Sequence, residues 1–246
     1  MNDNDFVFGT RAVIEAIKSG RNIERVLIKK GLDNELFDEL FQLIRESGIS
    51  FQFVPVERIN RVTRKNHQGV LAFMSAVEYT DLGTLLPGLF ESGKDPFLLI
   101  LDQVTDVRNF GAIVRTAECG GIDAVVIPEK GMAQIGSDAV KTSAGALHSV
   151  PVSKVKSLVH AIRFLKESGI RIVAASEKSA TLYTRATMSG PLAIVMGSEE
   201  SGISPSILNM ADEQVRIPLY GKIQSLNVSV AAGLMIYEAC RQKNQL

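Results

Sequence analysis

A two-part α/β protein is what this sequence predicts, with a small mixed α/β unit in front and a larger parallel-sheet domain behind it. Three features carry that expectation. Phe97–Leu101, Ala124–Ile127, Ile170–Ala174 and Leu192–Met196 are apolar runs without alternation, the pattern of strands covered on both faces. Helical patterns lie between them, at about 110–120, 155–168 and 204–211. Ahead of them, residues 77–95 lose any strong period, and Gly83, Pro87, Gly88 and Gly93 punctuate the stretch. The expected division is therefore a front domain at 1–76, a linker with at most a helical turn at 77–95, and a second domain at 96–246.

The elements of the front domain follow from local pattern. Val13, Ile14 and Ile17 suit a helix entered near Thr10 as its N-cap. Arg25–Ile28 reads as a short strand. Leu36, Phe37, Leu40, Phe41, Leu43 and Ile44 form the apolar stripe of a helix from about Asn34 to Ser47, stopped by Gly48. Phe51–Val54 and Val70–Phe73 are strands on either side of a basic stretch. Arg58, Arg61, Arg64 and Lys65 recur there at three- to four-residue spacing, so a helix would place them on one face. Such a face is either simply solvated or a contact for nucleic acid.

Composition narrows the function classes. Over 246 residues, hydrophobic residues are 46% and charged ones 22%, so a disordered or fibrous chain is excluded and a sizeable core is affordable without staples. Twenty-seven basic residues balance 27 acidic ones, which argues against a uniform basic field and leaves only local patches for nucleic acid. Cys119 and Cys240 are far apart in apolar segments, giving neither a disulfide framework nor a zinc spacing; no metal is expected. The polar start predicts no secretory signal, and no apolar run approaches bilayer length, so a cytoplasmic protein without membrane contact is expected. Dinucleotide, Walker, nucleophile-elbow and zinc-peptidase signatures are absent, and His67, His148 and His160 are scattered.

Open parallel sheets place ligands beyond the carboxyl ends of their strands, and three such loops stand out. After Leu101, Asn109 and Arg115 lie six residues apart with Gly111-Ala112 between them permitting close backbone approach. Arg115 suits a phosphate fork or a structural ion pair with Glu118 or Asp102. After Met196, Gly197 allows a ligand against the backbone, and Glu199 and Glu200 are adjacent acids; Ser204 before Pro205 is an expected N-cap. After Pro218, the chain runs into its most apolar helix, Val228–Cys240, which needs cover from the sheet or a second subunit. Ser225 is placed as its N-cap. Asn227, in its first turn, is a polar side chain that wants a partner.

Taken together, Asn109–Ala117, Ile194–Ile203 and Val215–Pro218 through Ser225–Ala231 resemble the three ordered motifs of the SpoU family, also called TrmH, of RNA ribose 2′-O-methyltransferases. Gly9-Thr10-Arg11-Ala12-Val13 and His67-Gln68-Gly69-Val70 are similar to the bounds of the RNA-binding domain of its ribosomal-RNA branch, as is Asp102–Asp106 to the approach to its first motif. Glu200 stands where that branch usually has a small residue.

The resemblance implies a carboxyl-terminal domain tied in a deep trefoil knot, with S-adenosylmethionine held by backbone groups at Gly197, Ile217 and Leu226. It implies a homodimer through that domain, ribosomal RNA as partner, and a guanosine of the large subunit as target; the alternatives are a transfer RNA guanosine 2′-O-methyltransferase and a non-catalytic RNA-binding or ribosome assembly factor. By the same resemblance, Arg115 lies closest to the reacting hydroxyl, while Asn109, Glu199, Ser225 and Asn227 hold the ribose and the arginine. Since an arginine is effectively always charged, it serves better as an electrostatic stabiliser than as a base.

Overall fold

The computed structural model describes residues 6–133 and 135–244. They fall into two units, one ending at residue 78 and including 135–137, the other comprising the rest.

In the front unit, alternation along one strand decides the packing. Its elements are β1 (Phe6–Phe8), α1 (Thr10–Lys18), β2 (Ile23–Lys29), α2 (Glu35–Glu46), β3 (Phe51–Val54), α3 (Val56–Asn60) and β4 (Val70–Met74). The sheet order is β1-β4-β2-β3, with β2 and β3 parallel and β4 antiparallel to both its neighbours. Val26 and Ile28 of β2 pack with Val13 and Ile14 of α1 and Leu40 and Ile44 of α2. Leu27, between them, points to the other face and meets Val54, Ile59, Leu71 and Phe73. Asn34 caps α2, accepting from the Phe37 amide at 2.9 Å.

Two expectations for this unit are corrected. Thr10 is buried inside the first turn of α1 rather than capping it; Gly9 holds the cap position, and the Thr10 amide donates to Gln68 Oε1 at 3.2 Å. The basic stretch is not one helix face. Helix α3 has only five residues and contains Arg58 alone of the four cations. The Thr63 hydroxyl accepts from the Lys65 amide at 3.2 Å, a local bond that competes with helix continuation.

The second unit begins with α4 (Leu82–Glu91), continues through β5 (Phe97–Leu101), α5 (Val107–Cys119) and β6 (Ala124–Pro128), and meets the division between units at α6 (Ser137–Thr142). It goes on with β7 (Val152–Val155), α7 (Leu158–Glu167), β8 (Arg171–Ala175), β9 (Leu192–Met196), α8 (Pro205–Leu208), β10 (Glu213–Val215) and α9 (Val228–Asn244). All six strands are parallel, in the order β10-β8-β9-β5-β6-β7. Every residue of β5 and β9 is buried, as their unbroken apolar runs require.

The stretch expected as a linker at 77–95 holds a ten-residue helix, α4, capped by Asp81 accepting from the Thr84 amide at 2.9 Å. Leu82 and Leu86, one turn apart, are buried with Leu98, Ile100, Ile162 and Leu165. Tertiary burial outweighs the breaking tendency of Gly83 and Pro87. Ser225 does not cap α9. The helix starts at Val228, and Asn227 takes the cap position, its Oδ1 accepting from the Ser229 amide at 2.9 Å. Gly111 opens no path to a ligand either: a Cβ there would lie 2.7 Å from Thr142 Cβ, so the glycine lets α5 pack closely on its neighbour.

The strand order sets the position of the site. From β5 the chain crosses α5 to β6 on one side, whereas from β9 it proceeds through α8 to β10 on the other. The carboxyl ends of β5 and β9 therefore flank the point where the order reverses, the crevice in which open α/β sheets bind ligands.

Candidate active site

Asp102, at the end of β5, is only 4% exposed, and a buried carboxylate needs donors. It finds them across the crevice. Its Oδ2 accepts from the Ser204 amide at 2.7 Å and the Ser204 hydroxyl at 2.5 Å, while its own amide donates to the Met196 carbonyl at 2.8 Å. Ser204 occupies the N-cap position of α8, as expected, but spends its hydroxyl on Asp102 rather than on the helix. The loops after β5 and β9 are thus stapled together. As a bonding partner for Asp102 the sequence suggested only Arg115, and this long-range pairing had no local signal.

The loop after β9 is a tight turn. Ser198 and Gly202 exchange backbone hydrogen bonds, both 3.0 Å, and the Ser198 hydroxyl accepts from the Ser201 amide at 3.0 Å. Gly197 lies directly against it. A Cβ at that position would fall 2.1 Å from the Gly202 carbonyl carbon and 2.3 Å from the Ile203 nitrogen, and backbone cannot swing aside as a side chain can. Beside the turn is a cavity of about 430 Å³ whose lining includes Gly197, Ile217, Ser225, Leu226 and Ala231. Gly197→Ala is expected to deform the turn and lower affinity for any ligand of this cavity at least about tenfold. Titration calorimetry checks this, and unchanged affinity in a folded variant would contradict it.

A second cavity, of about 280 Å³, lies on the other side of the same turn and is lined by Gln103, Thr105, Asp106 and Asn109 among others. The two cavities share Ser198–Ser201 and Val228. At that wall Glu199 is bonded to two side chains from distant segments, Asn109, which borders only the smaller cavity, and Asn227, which borders neither. Asn109 Nδ2 donates to Glu199 Oε1 at 3.0 Å, and Asn227 Nδ2 donates to Asn109 Oδ1 at 3.0 Å and to Glu199 Oε1 at 2.5 Å. Glu199 Oε1 also accepts from the Val228 amide at 3.2 Å, which sets its negative charge on the N-terminus of the 17-residue helix α9. Asp106, capping α5 through the Arg108 and Asn109 amides at 2.9 and 2.8 Å, fixes the backbone that carries Asn109. Glu199 Oε2 takes no hydrogen bond among the described residues.

The candidate residues thus separate into groups. Asn109, Glu199 and Asn227 form one bonded cluster. Ser225 is outside the cluster but lines the larger cavity with Gly197, Ile217 and Leu226. Arg115 is apart from both. It is exposed, lines neither cavity and makes no hydrogen bond or ion pair among the described residues, so the ion pair with Glu118 or Asp102 does not form. Six residues along a helix turn it about 120° away from Asn109.

Arg58, Arg61, Arg64 and Lys65 are exposed on the front unit. Lys65 lies over the Phe8 ring at 5.9 Å. A fifth cation, which pattern reading missed, joins them. Arg25 sits over the Phe73 ring at 5.3 Å, and burial, followed by the nearby Arg58 charge, lowers its pKa from the usual arginine value.

The fold and these loops define a class before they define a substrate: an α/β domain with its ligand site at the switch point of a parallel sheet, preceded by a separate α/β unit. The chain belongs to the SpoU rRNA methylase family, whose model matches residues 96–237; a second model, for RNA 2′-O ribose methyltransferase substrate binding, matches residues 6–80. YacO of Bacillus subtilis (strain 168), named as a TrmH family tRNA/rRNA methyltransferase, is 34% identical over 98% of this chain and 97% of its own. Among solved structures, the SpoU methyltransferase AviRb of Streptomyces viridochromogenes, in complex with the cofactor AdoMet, superposes with a TM-score of 0.62 at 22% identity, covering 98% of this chain and 91% of that one. A TrmH/SpoU tRNA modifying enzyme of A. aeolicus has a TM-score of 0.56 at 33% identity, covering 62% of this chain and 77% of that one.

Proposed function

We propose that this protein transfers a methyl group from S-adenosylmethionine to the 2′ oxygen of a ribose in RNA, and that the target is a guanosine of large-subunit (23S) ribosomal RNA. The observation that carries this reading is the Asn109–Glu199–Asn227 cluster, whose Glu199 borders both cavities, one for the cofactor and one for a nucleoside. The larger cavity suits the cofactor: backbone of the turn after Met196 forms one side, with no room for a side chain at Gly197, and Ile217 and Leu226 supply apolar cover. When bound there, S-adenosylmethionine supplies a methyl already activated on a sulfonium.

The residues of this chain then have to align and polarise the hydroxyl. Glu199, with Oε1 saturated by three donors, has Oε2 to accept the 2′ hydroxyl hydrogen. Asn109 and Asn227 hold that carboxylate in place, and Ser225 borders the cofactor side. Arg115 stabilises negative charge developing on the 2′ oxygen as the proton leaves.

Arg115 does so in a homodimer. Its exposed position outside both cavities supports its reaching the site of a second copy. The exposed face of α9 supports the same assembly: Val230, Leu234 and Tyr237 are 52%, 38% and 54% exposed and line an apolar groove with Tyr183. Helix α9 follows edge strand β10 yet packs on α5, which follows central strand β5, so the chain end has crossed the carboxyl ends of β8 and β9. That path supports a trefoil knot.

The front domain, at 1–76, serves as the RNA-selecting domain, with Arg58, Arg61, Arg64 and Lys65 as phosphate contacts, and the reaction takes place in the cytoplasm. Transfer RNA is the second reading, favoured by the name of the A. aeolicus neighbour. Replacing the four cations with serine is expected to flatten the salt dependence of RNA binding by about 0.7–0.9 log units per lost phosphate contact. Cofactor affinity stays unchanged. A salt series with a large-subunit ribosomal RNA fragment and with transfer RNA measures both. Normal binding by the four-serine variant, or equal methylation of transfer RNA, contradicts the ribosomal reading.

A further inference from the structure

The smaller cavity has an unusual balance of hydrogen-bonding groups. Three acids border it: Asp106, Glu199 and Glu200. Asp106 is committed to the α5 amides, and Glu199 to Asn109, Asn227 and the Val228 amide. The Ser198 and Ser201 hydroxyls are bonded to each other at 2.8 Å. Glu200 makes no hydrogen bond or ion pair among the described residues, although it follows Glu199 directly in the wall of the cavity. Glu200 is exposed and borders both cavities, so its carboxylate, with both oxygens available, can serve the smaller one, and an ionised carboxylate only accepts. Gln103 and Thr105, which also border the cavity, can each donate or accept and so favour no particular edge.

We propose that Glu200 is a specificity-determining residue that reads an unpaired guanine in this cavity. The proposal rests on the ribose methyltransferase reading above, because it is the ribose at Glu199 that brings the base alongside Glu200. The four bases differ in what their Watson–Crick edges offer a carboxylate. Guanine presents two adjacent donors, N1–H and the 2-amino group, which match the two oxygens in a paired geometry. Adenine and cytosine each place a ring-nitrogen acceptor beside their amino group, and that acceptor would face the second oxygen. Uracil has one N–H between two carbonyls. Only guanine avoids a repulsive contact. Its edge must also be free of a pairing partner, which places the target in a loop, bulge or otherwise opened segment of RNA.

Inosine tests this directly, since it differs from guanosine only by lacking the 2-amino group. The substrate is a synthetic RNA hairpin spanning the methylated site, with guanosine or inosine at the target, and kcat/KM is measured at saturating cofactor for the full-length protein. The wild-type protein is expected to prefer guanosine by about ten- to a hundredfold, the worth of one hydrogen bond to a charged group. Glu200→Ala should lower the rate on guanosine by a similar factor and remove the preference. Glu200→Gln, which presents a donor to one guanine N–H, should do no better than the alanine variant. Dimerisation by sedimentation should match wild type, and because Glu200 also borders the larger cavity, cofactor is kept saturating for each variant. Equal rates on the two RNAs with wild-type protein would overturn the proposal, as would full discrimination retained by Glu200→Ala. Loss of cofactor affinity or of the dimer with discrimination intact would likewise overturn it, assigning Glu200 to a different contact. A wild-type protein that methylates no RNA at all would instead defeat the methyltransferase reading beneath it.

Discussion

Arg115→Ala is expected to lower methyl transfer by about 10²–10³-fold while leaving stability and cofactor affinity essentially unchanged. The two halves of that expectation have separate grounds. Arg115 is exposed and makes no bond among the described residues, so its removal breaks nothing in the folded chain. It is also the cation assigned to charge developing on the 2′ oxygen, a role that alanine cannot fill and lysine fills poorly because the planar fork is lost. Mixing Arg115→Ala with Asn109→Ala subunits adds a sharper test. If Arg115 serves the other subunit's site, a mixed dimer holds one site with both residues intact, and activity returns on mixing two inactive proteins. Substantial turnover by Arg115→Ala alone would remove it from the chemistry, and failure of the mixture to recover activity would place it in its own chain's site.

Glu199→Ala is expected to cost about a hundredfold or more in kcat, through misalignment as well as loss of the acceptor. It leaves the side-chain amides of Asn109 and Asn227 and the backbone amide of Val228 without the oxygen that holds them together. Because water reaches the exposed site, the stability penalty should be no more than about 1 kcal/mol. Glu199→Gln keeps one acceptor oxygen and should therefore preserve the position of Asn227 while still losing rate. Thermal unfolding and single-turnover kinetics separate the two effects. A large drop in stability with a normal rate on the remaining folded protein would make the cluster structural rather than catalytic.

What the sequence revealed, and what it concealed, divides along physical lines. β5 and β9 were legible because two-sided burial demands unbroken apolar runs, and burial is what each residue carries in its own side chain. α4 was not, because Gly83 and Pro87 speak against a helix locally, while the burial of Leu82 and Leu86 that forms it is decided by residues outside the helix, from Leu98 and Ile100 to Ile162 and Leu165. Strand β7 was also missed: its Val-Ser-Lys-Val neither alternates nor forms an apolar run, and it is held by pairing to β6. The basic stretch misled in the opposite direction. Its spacing matched a helix, yet the Thr63 hydroxyl offered Lys65 a competing bond.

At the site, the polar start of α9 pointed to a ligand rather than a capping role for Asn227; Asn227 is in fact the cap, and its side-chain amide finds its partner within the chain. That partner is Asn109 and Glu199 of the same chain, from segments 118 and 28 residues distant. The motifs placed all three side chains in segments that follow strands, but their mutual bonding depends on the strand order, which brings the ends of β5 and β9 together. The Asp102–Ser204 staple spans 102 residues and had no periodic or local trace at all.

The central claim is methylation of a ribose hydroxyl in RNA, and one measurement addresses it most directly. Ribosomal and transfer RNA from cells lacking this gene, incubated with the purified protein and isotope-labelled S-adenosylmethionine, can be mapped nucleotide by nucleotide for 2′-O-methyl groups. The account predicts label at a single unpaired guanosine of large-subunit ribosomal RNA, on the 2′ oxygen, and none there with Arg115→Ala. Label on a base nitrogen or carbon, label confined to transfer RNA, or no label in any RNA would contradict it.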